Sequence, residues 1–134
     1  MLAALDPQWL AEKDLKPDVI KGVIGLAGPY DFLPLTSDSS KMALGQWRDL
    51  TETQPITYAR GDAPPLLLLT GDKDTVAKPR NSKILSEKIQ ASGGQQQLKI
   101  YPSVGHAEII MAIARPFRKK APVVADVVSF LNAH

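Results

Sequence analysis

Short apolar runs alternate with longer helix-like stretches along the chain. Three runs are bounded by turn residues, and they lie at residues 20–27, 65–70 and 97–101. This alternation is typical of a parallel α/β sheet rather than of a β-sandwich or a helical bundle. We therefore expect an α/β fold with about three parallel strands, in chain order, flanked by helices.

The pattern inside each run indicates where its strand lies in the sheet. Residues 66–69 are four consecutive leucines without alternation, which suits a strand covered by helices on both faces. The run at 97–101 alternates more and ends at Pro102, which favours a place nearer an edge of the sheet.

Helical spacing of apolar residues predicts the elements between and after the strands. At residues 78–91, Ile84, Leu85 and Ile89 share one stripe, and the following glycine pair ends the helix. A strongly apolar terminal helix is predicted at 122–132, and two weaker helical patterns lie at 1–13 and 39–50.

Composition limits the class of protein. The chain has 134 residues, 44% of them hydrophobic, with no cysteine. A single domain over residues 1–134 is therefore expected, with a core that needs no disulfide or cysteine-bound metal. We expect neither a metal nor a cofactor. The absence of cysteine is compatible with a cytoplasmic location, which is the expected one.

Charge and hydropathy exclude two kinds of partner. Sixteen basic and 14 acidic residues leave a net charge of +2, far below the concentrated positive field that nucleic-acid binding requires. The one basic cluster, at 115–120, is interpreted as a solvated face. No apolar run approaches the length of about 18 residues that a membrane span needs.

Candidate chemistry follows the strands. In open parallel sheets the ligand site lies beyond the carboxyl ends of the strands. Asp74 follows the second predicted strand and His106 follows the third. If these strands are neighbours, a carboxylate and an imidazole leave the same edge of the sheet. This is the arrangement in which a carboxylate orients a histidine that acts as a general base.

The two loops resemble those of a known family. Residues 68–76 and 101–106 look like the acid and histidine loops of carboxylesterase-type α/β hydrolases, the group related to hormone-sensitive lipase and the arylformamidases. Residues 24–32 are similar to the strand and loop that precede the acid. The resemblance implies that Asp74 is the triad acid, that His106 is its base, and that the reaction is hydrolysis of a carboxylic ester or related acyl bond.

The sequence departs from this family at the nucleophile. None of its serines lies in a Gly-x-Ser-x-Gly elbow, and no glycine-rich oxyanion loop precedes the first strand. Residues 1–7 look like the end of the helix that follows the elbow. The resemblance therefore indicates the C-terminal part of an esterase-like domain, with two triad members, and we expect no meaningful esterase activity from it alone.

Each candidate residue also has a structural interpretation. Asp74 fits a turn that accepts backbone N–H groups, His106 fits a structural histidine, and Asp72 is expected to serve a turn or a helix cap. Tyr30 is expected either to form a wall of the substrate pocket or to pack in the core. Trp47 has the same two options, and it reaches an acyl or alcohol pocket if residues 39–50 overhang the strand ends.

Two further functions stay open at this point. The alternatives to a hydrolase are a non-enzymatic, truncated module that associates with itself or a partner, and an unrelated small-molecule-binding α/β domain. Since a strand neighbouring residues 20–27 is missing on the family pattern, an unpaired edge is expected there. We therefore expect a homodimer, with Val23, Ile24 or residues 1–10 in its interface.

Overall fold

The computed structural model describes all 134 residues and contains one three-stranded parallel sheet. Its strands are β1 (Val23–Leu26), β2 (Leu66–Gly71) and β3 (Gln96–Tyr101), in the spatial order β1-β2-β3. The expected parallel sheet and its strand order are therefore confirmed. Strand β2 lies in the centre, and β1 and β3 are the two edges.

Six α-helices accompany the sheet: α1 (Leu2–Leu5), α2 (Gln8–Ala11), α3 (Asp38–Leu44), α4 (Arg80–Ala91), α5 (His106–Met111) and α6 (Val123–Ala133). Four short 3₁₀ segments lie at Pro17–Val19, Leu50–Thr53, Pro55–Tyr58 and Arg115–Phe117. None of these helices has the length and apolar character that a membrane crossing needs. The cytoplasmic location stays a prediction.

The leucines of β2 divide the core between the two faces of the sheet. Leu67 and Leu69 face α5 and α6 and pack in a cluster with Ile109, Val123 and Phe130. All of these β2 leucines are completely buried, and burying such a side chain contributes about 1.5–3 kcal/mol. The unbroken leucine run thus reflects a strand with helices on both sides.

The opposite face carries the second cluster. Leu66 and Leu68 pack there against Leu5 of α1 and against Leu85 and Ile89 of α4. This arrangement confirms the predicted apolar stripe of α4 for Leu85 and Ile89, whereas Ile84 is only half-buried and lies outside this cluster. Together the two clusters fix β2 between two helical layers and hold its carboxyl end in a defined place.

Two predicted helices are shorter in the structure. The helix expected over residues 1–13 is interrupted at Asp6 and Pro7, which separate α1 from α2. The Asp6 carboxylate accepts the backbone N–H of Gln8 at the start of α2. The helix expected over 39–50 begins at Asp38 and ends at Leu44, with Gly45 as its C-cap residue. Helix α5, which begins at His106, was not expected from the periodicity.

Candidate active site

Asp74 and His106 lie together at the carboxyl ends of β2 and β3. The Nδ1 atom of His106 is 2.8 Å from Oδ2 of Asp74. The Asp74 side chain is fully buried, whereas that of His106 is 29% exposed. With the ring proton on Nδ1, this contact is a hydrogen bond from His106 to the buried carboxylate, and the lone pair is left on Nε2. An imidazole held in this tautomer can accept a proton from a substrate or nucleophile.

The second oxygen of the Asp74 carboxylate is held by its own loop. Oδ1 accepts the backbone N–H of Val76 at 2.9 Å and that of Ala77 at 2.8 Å. One oxygen of the carboxylate therefore has the expected turn contacts, and the other oxygen contacts His106. The backbone bonds fix the carboxylate so that Oδ2 points at His106.

Backbone contacts join the Asp74 loop to the His106 loop. The N–H of Lys73 donates to the carbonyl of Val104 at 3.0 Å, and the N–H of Asp72 donates to the carbonyl of Tyr101, also at 3.0 Å. The Asp72 carboxylate accepts the N–H of Ser103 at 2.7 Å. Asp72 thus has the expected structural role, although it bonds the neighbouring loop rather than its own turn.

Glu108 fixes the start of the helix that begins at His106. Its Oε2 accepts the N–H of Gly105 at 2.9 Å, and its Oε1 lies 2.9 Å from the ammonium group of Lys120. The pair Gly105 and Glu108 has the N-cap to N3 spacing at which a glutamate bonds back to the cap residue. Sequence reasoning missed this role, although the spacing was the available signal.

The Glu108 contacts predict a pH effect on the His106 loop. The hydrogen bond from Lys120 and then the N–H of Gly105 lower the pKa of Glu108 below its ordinary value of 4.5. A group with a lowered pKa stabilises the fold fully above its ordinary pKa and loses this contribution as the pH falls through the lowered value. We expect amide exchange at Gly105 to accelerate only in that acidic range.

This effect is measured by NMR on the Gly105 amide from neutral pH down to about pH 2. Glu108→Gln is the matched control, because its side chain still accepts the N–H but carries no charge that titrates. If the Gly105 amide exchanges with the same pH profile in both proteins, after correction for intrinsic exchange, the proposed pH effect of Glu108 is contradicted.

Tyr30 packs in the core of the structure. Its side chain belongs to the core cluster of α1 and α4 and is only 3% exposed, and its ring lies over the backbone of Gly25 and Gly28. Burial raises the pKa of Tyr30 to about 12. Its contacts are those of a packing residue, because the two glycines leave a space that the ring fills, and the substrate-wall role of Tyr30 stays a prediction.

Asn81 of α4 holds the loop that follows β1. Its Oδ1 accepts the N–H groups of Tyr30 and Asp31 at 2.9 and 2.8 Å, and the side chain is nearly buried. The Asp31 carboxylate pairs with Arg80 at 2.8 Å. Nothing in the local sequence indicated this role for Asn81, since its partners lie about 50 residues earlier in the chain.

Trp47 lies in the turn after α3. It is 44% exposed, and it lines neither the cavity at Asp74 nor the neighbouring one at Asp31. The substrate-binding role of Trp47 stays a prediction.

The serines are distributed over loops and helices. Ser103 is the nearest to His106 in sequence, and it lies in the left-handed region at φ 59° on the exposed part of the loop. No serine has glycines at both flanking second positions, as an elbow requires; the eight are Ser37, Ser39, Ser40, Ser82, Ser86, Ser92, Ser103 and Ser129.

Comparison with known families finds one match by sequence. The model of the prolyl oligopeptidase family matches residues 14–134, a range that includes all three strands and both Asp74 and His106. No curated protein matches the chain significantly.

Solved structures with a similar fold include esterases. A truncated carbohydrate esterase from gut microbiota aligns with a TM-score of 0.66 and 20% identity, over 85% of this chain and 42% of its own. Esterase 2 of the planctomycete Thermogutta terrifontis aligns with a TM-score of 0.57 and 11% identity when propionate-bound, over 83% of this chain and 43% of its own. Its tabun-phosphoramylated form gives a TM-score of 0.59 at 14% identity, over 83% and 41%.

These similarities show the fold, which is that of the α/β hydrolases. The three parallel strands and their flanking helices correspond to part of that fold, as the sequence resemblance implied. The chain spans less than half the length of each of these solved esterases.

Proposed function

The chain belongs to the prolyl oligopeptidase family of α/β hydrolases, and on this premise we propose that it supplies the acid and the base of a serine hydrolase triad. His106 is the proposed base and Asp74 the proposed acid. The observation that carries this proposal is the 2.8 Å contact between His106 Nδ1 and the buried Asp74 carboxylate.

The proposed reaction is hydrolysis of a carboxylic ester or related acyl bond. Nε2 of His106 takes the proton of the serine hydroxyl while the serine oxygen attacks the acyl carbon, and the same proton then goes to the leaving alcohol. In the second half His106 activates water against the acyl-enzyme. Asp74 stabilises the imidazolium formed in each half. The esterases among the solved structures support an ester substrate.

The nucleophile of this triad is proposed to come from outside these 134 residues. No serine in the sequence has the elbow pattern, so the acid and base described here need a partner segment. We propose that this segment also donates N–H groups to the oxyanion, since the N–H groups of Val76, Ser103 and Gly105 already donate to the carboxylates of Asp74, Asp72 and Glu108.

The first test measures hydrolysis of p-nitrophenyl acetate by the purified 134-residue protein. We expect a rate at most slightly above that of the buffer, because losing the nucleophile of such a triad lowers turnover by about a millionfold. Ser103→Ala is the matched control and is expected to leave the rate unchanged. Robust turnover that disappears in Ser103→Ala, with a covalent fluorophosphonate adduct on Ser103, would contradict the proposal that the nucleophile lies outside these residues.

A second candidate function rests on the edge strand β1. The N–H groups of Val23 and Ala27 donate to carbonyls on the β2 side of the strand, so the alternate backbone groups, at Ile24 and Leu26, face away from the sheet. Ile24 is 37% exposed and lines an apolar groove with Val124 and Val127 of α6. Two copies can pair these edges antiparallel about a twofold axis, which satisfies the same groups in both.

This surface predicts the homodimer expected for a self-associating module. Light scattering at tens of micromolar is expected to give twice the monomer mass, and Ile24→Lys is expected to give the monomer. Met42→Lys is the matched control, since Met42 is exposed on α3, outside this groove. A monomer for the unchanged protein, or an interface formed by α6 alone, contradicts the prediction.

A further inference from the structure

A groove of about 550 Å³ lies beside the loop of the proposed acid. Its apolar part is formed by Pro29, Phe32, Leu44 and Val76, and its polar part consists of hydroxyl side chains from residues 36–40. No charged side chain lines it. Cavities of this size accommodate small molecules, and this one combines an apolar wall with a row of hydroxyl groups.

The groove is tied to the Asp74 carboxylate through a single residue. The backbone N–H of Val76 donates to Asp74 Oδ1 at 2.9 Å, while the side chain of Val76 forms part of the groove wall and is 73% exposed. The other oxygen of the same carboxylate faces His106. Val76 thus lies between the groove and the Asp74 carboxylate, although neither Asp74 nor His106 lines the groove itself.

The backbone of Phe32, which forms the aromatic wall of the groove, is held by a buried side chain. The N–H of Phe32 donates to Oε1 of Gln54 at 2.7 Å, and Gln54 is 2% exposed. The Gln54 amide donates in turn to the hydroxyl of Thr53. An aromatic ring with a fixed backbone offers a flat apolar surface at a low cost in conformational entropy.

The hydroxyl side of the groove has unused hydrogen-bonding capacity. The Thr36 hydroxyl makes no hydrogen bond within the chain, and the Ser39 hydroxyl has one contact, with Ser37 at 3.1 Å. Both residues are exposed. Each hydroxyl can donate and accept, so this wall suits a ligand that carries several hydroxyl groups of its own.

The neighbouring cavity differs from the groove in the charge of its lining. It shares Phe32, Thr36 and Val76 with the groove but also contains the charged groups of Asp31, Lys78 and Arg80. The groove itself offers no counter-charge to an ionic ligand, and its wall is too polar for a long hydrocarbon chain. An uncharged ring with one apolar face and several hydroxyls matches it best.

We propose that this groove binds the alcohol part of the ester and that this alcohol is an uncharged sugar or similar polyol ring. The inference rests on the proposed function of Asp74 and His106, because it places the leaving alcohol beside them. Phe32 packs against the apolar face of the ring, and Thr36 and Ser39 bond its hydroxyls.

The test is an NMR titration of the 134-residue protein with methyl β-xylopyranoside, with cyclohexanol as a probe that keeps the ring and lacks the additional hydroxyls. We expect saturable shifts confined to the groove residues for the glycoside and at least fivefold weaker binding of cyclohexanol. Phe32→Ala is expected to weaken glycoside binding at least fivefold. Met42→Ala, exposed on α3 outside the groove, is expected to leave it unchanged.

A second variant guards against a folding defect in Phe32→Ala. Val76 is exposed, so Val76→Lys is expected to keep the fold and to abolish glycoside binding by occupying the groove. The inference is overturned by scattered or absent shifts, by tighter binding of cyclohexanol, or by unchanged glycoside binding in Val76→Lys.

Failure of the groove and failure of the proposed function are distinguishable. Asp74→Asn is expected to bind the glycoside as the unchanged protein does, since an asparagine oxygen still accepts the N–H of Val76. If the unchanged protein does not bind the glycoside but its His106 has the expected tautomer, only the proposed sugar site in the groove is overturned. A His106 that does not bond Asp74 overturns the proposed function and this inference together.

Discussion

Asp74→Asn is expected to lower kcat for ester hydrolysis by about 10⁴, measured on the product of the whole open reading frame. The amide keeps the shape of the carboxylate and its bonds to the N–H groups of Val76 and Ala77. However, its NH₂ group donates to Nδ1 of His106, so the ring proton moves to Nε2. The imidazole then has no lone pair where the serine proton must be accepted, and its cation loses its counter-charge.

The control for this prediction is Asp72→Asn, which changes a carboxylate two residues away. Asp72 accepts the N–H of Ser103 and does not contact His106. The kcat of Asp72→Asn is therefore expected to stay within about threefold of that of the unchanged enzyme. His106→Ala is expected to be at least as damaging as Asp74→Asn. Equal losses in the Asp72 and Asp74 variants contradict the assignment, as does an open reading frame that encodes no elbow serine.

Gly71→Ala is expected to have the largest effect on the geometry of the site. A Cβ at Gly71 would overlap the carbonyl oxygen of Val104, a backbone atom of the His106 loop. That carbonyl also accepts the N–H of Lys73, so the loop cannot move without losing a hydrogen bond. Overpacking of this kind typically costs about 1–3 kcal/mol, and the added methyl pushes His106 away from Asp74.

Gly105→Ala is the matched variant in the same pair of loops. A Cβ at Gly105 meets its nearest neighbour, Oε2 of Glu108, at 3.5 Å, and the backbone there has an ordinary φ of −94°. Urea denaturation is expected to show a lower free energy of unfolding for Gly71→Ala and little change for Gly105→Ala. Similar midpoints for the two variants would contradict the tight contact between the loops.

The sheet and the pairing of Asp74 with His106 follow from local signals in the sequence. Each strand is a short apolar run that ends in turn residues, and the leucine run of β2 indicates a central strand. Once the strands are parallel neighbours, Asp74 and His106 must leave the same edge. The proximity of these two side chains is therefore predictable from the sequence.

Other parts of the site depend on contacts between residues that are distant in sequence. The burial of Tyr30 depends on the space above Gly25, which exists only after the loop folds back over β1. The role of Asn81 depends on how α4 packs beside that loop. Neither position has a periodicity or spacing that predicts its contact, because tertiary packing alone brings the partners together.

The tautomer of His106 tests the central claim most directly. The chain has two histidines, so ¹⁵N-edited NMR of the imidazole rings resolves His106 beside His134 as an internal reference. At a pH where the ring is neutral, we expect the His106 proton on Nδ1, bonded to Asp74, and we expect it on Nε2 in Asp74→Asn. His134, which has no carboxylate partner in the structure, is expected to be unchanged by that variant. An Nε2–H tautomer for His106 in the unchanged protein would contradict its role as the base.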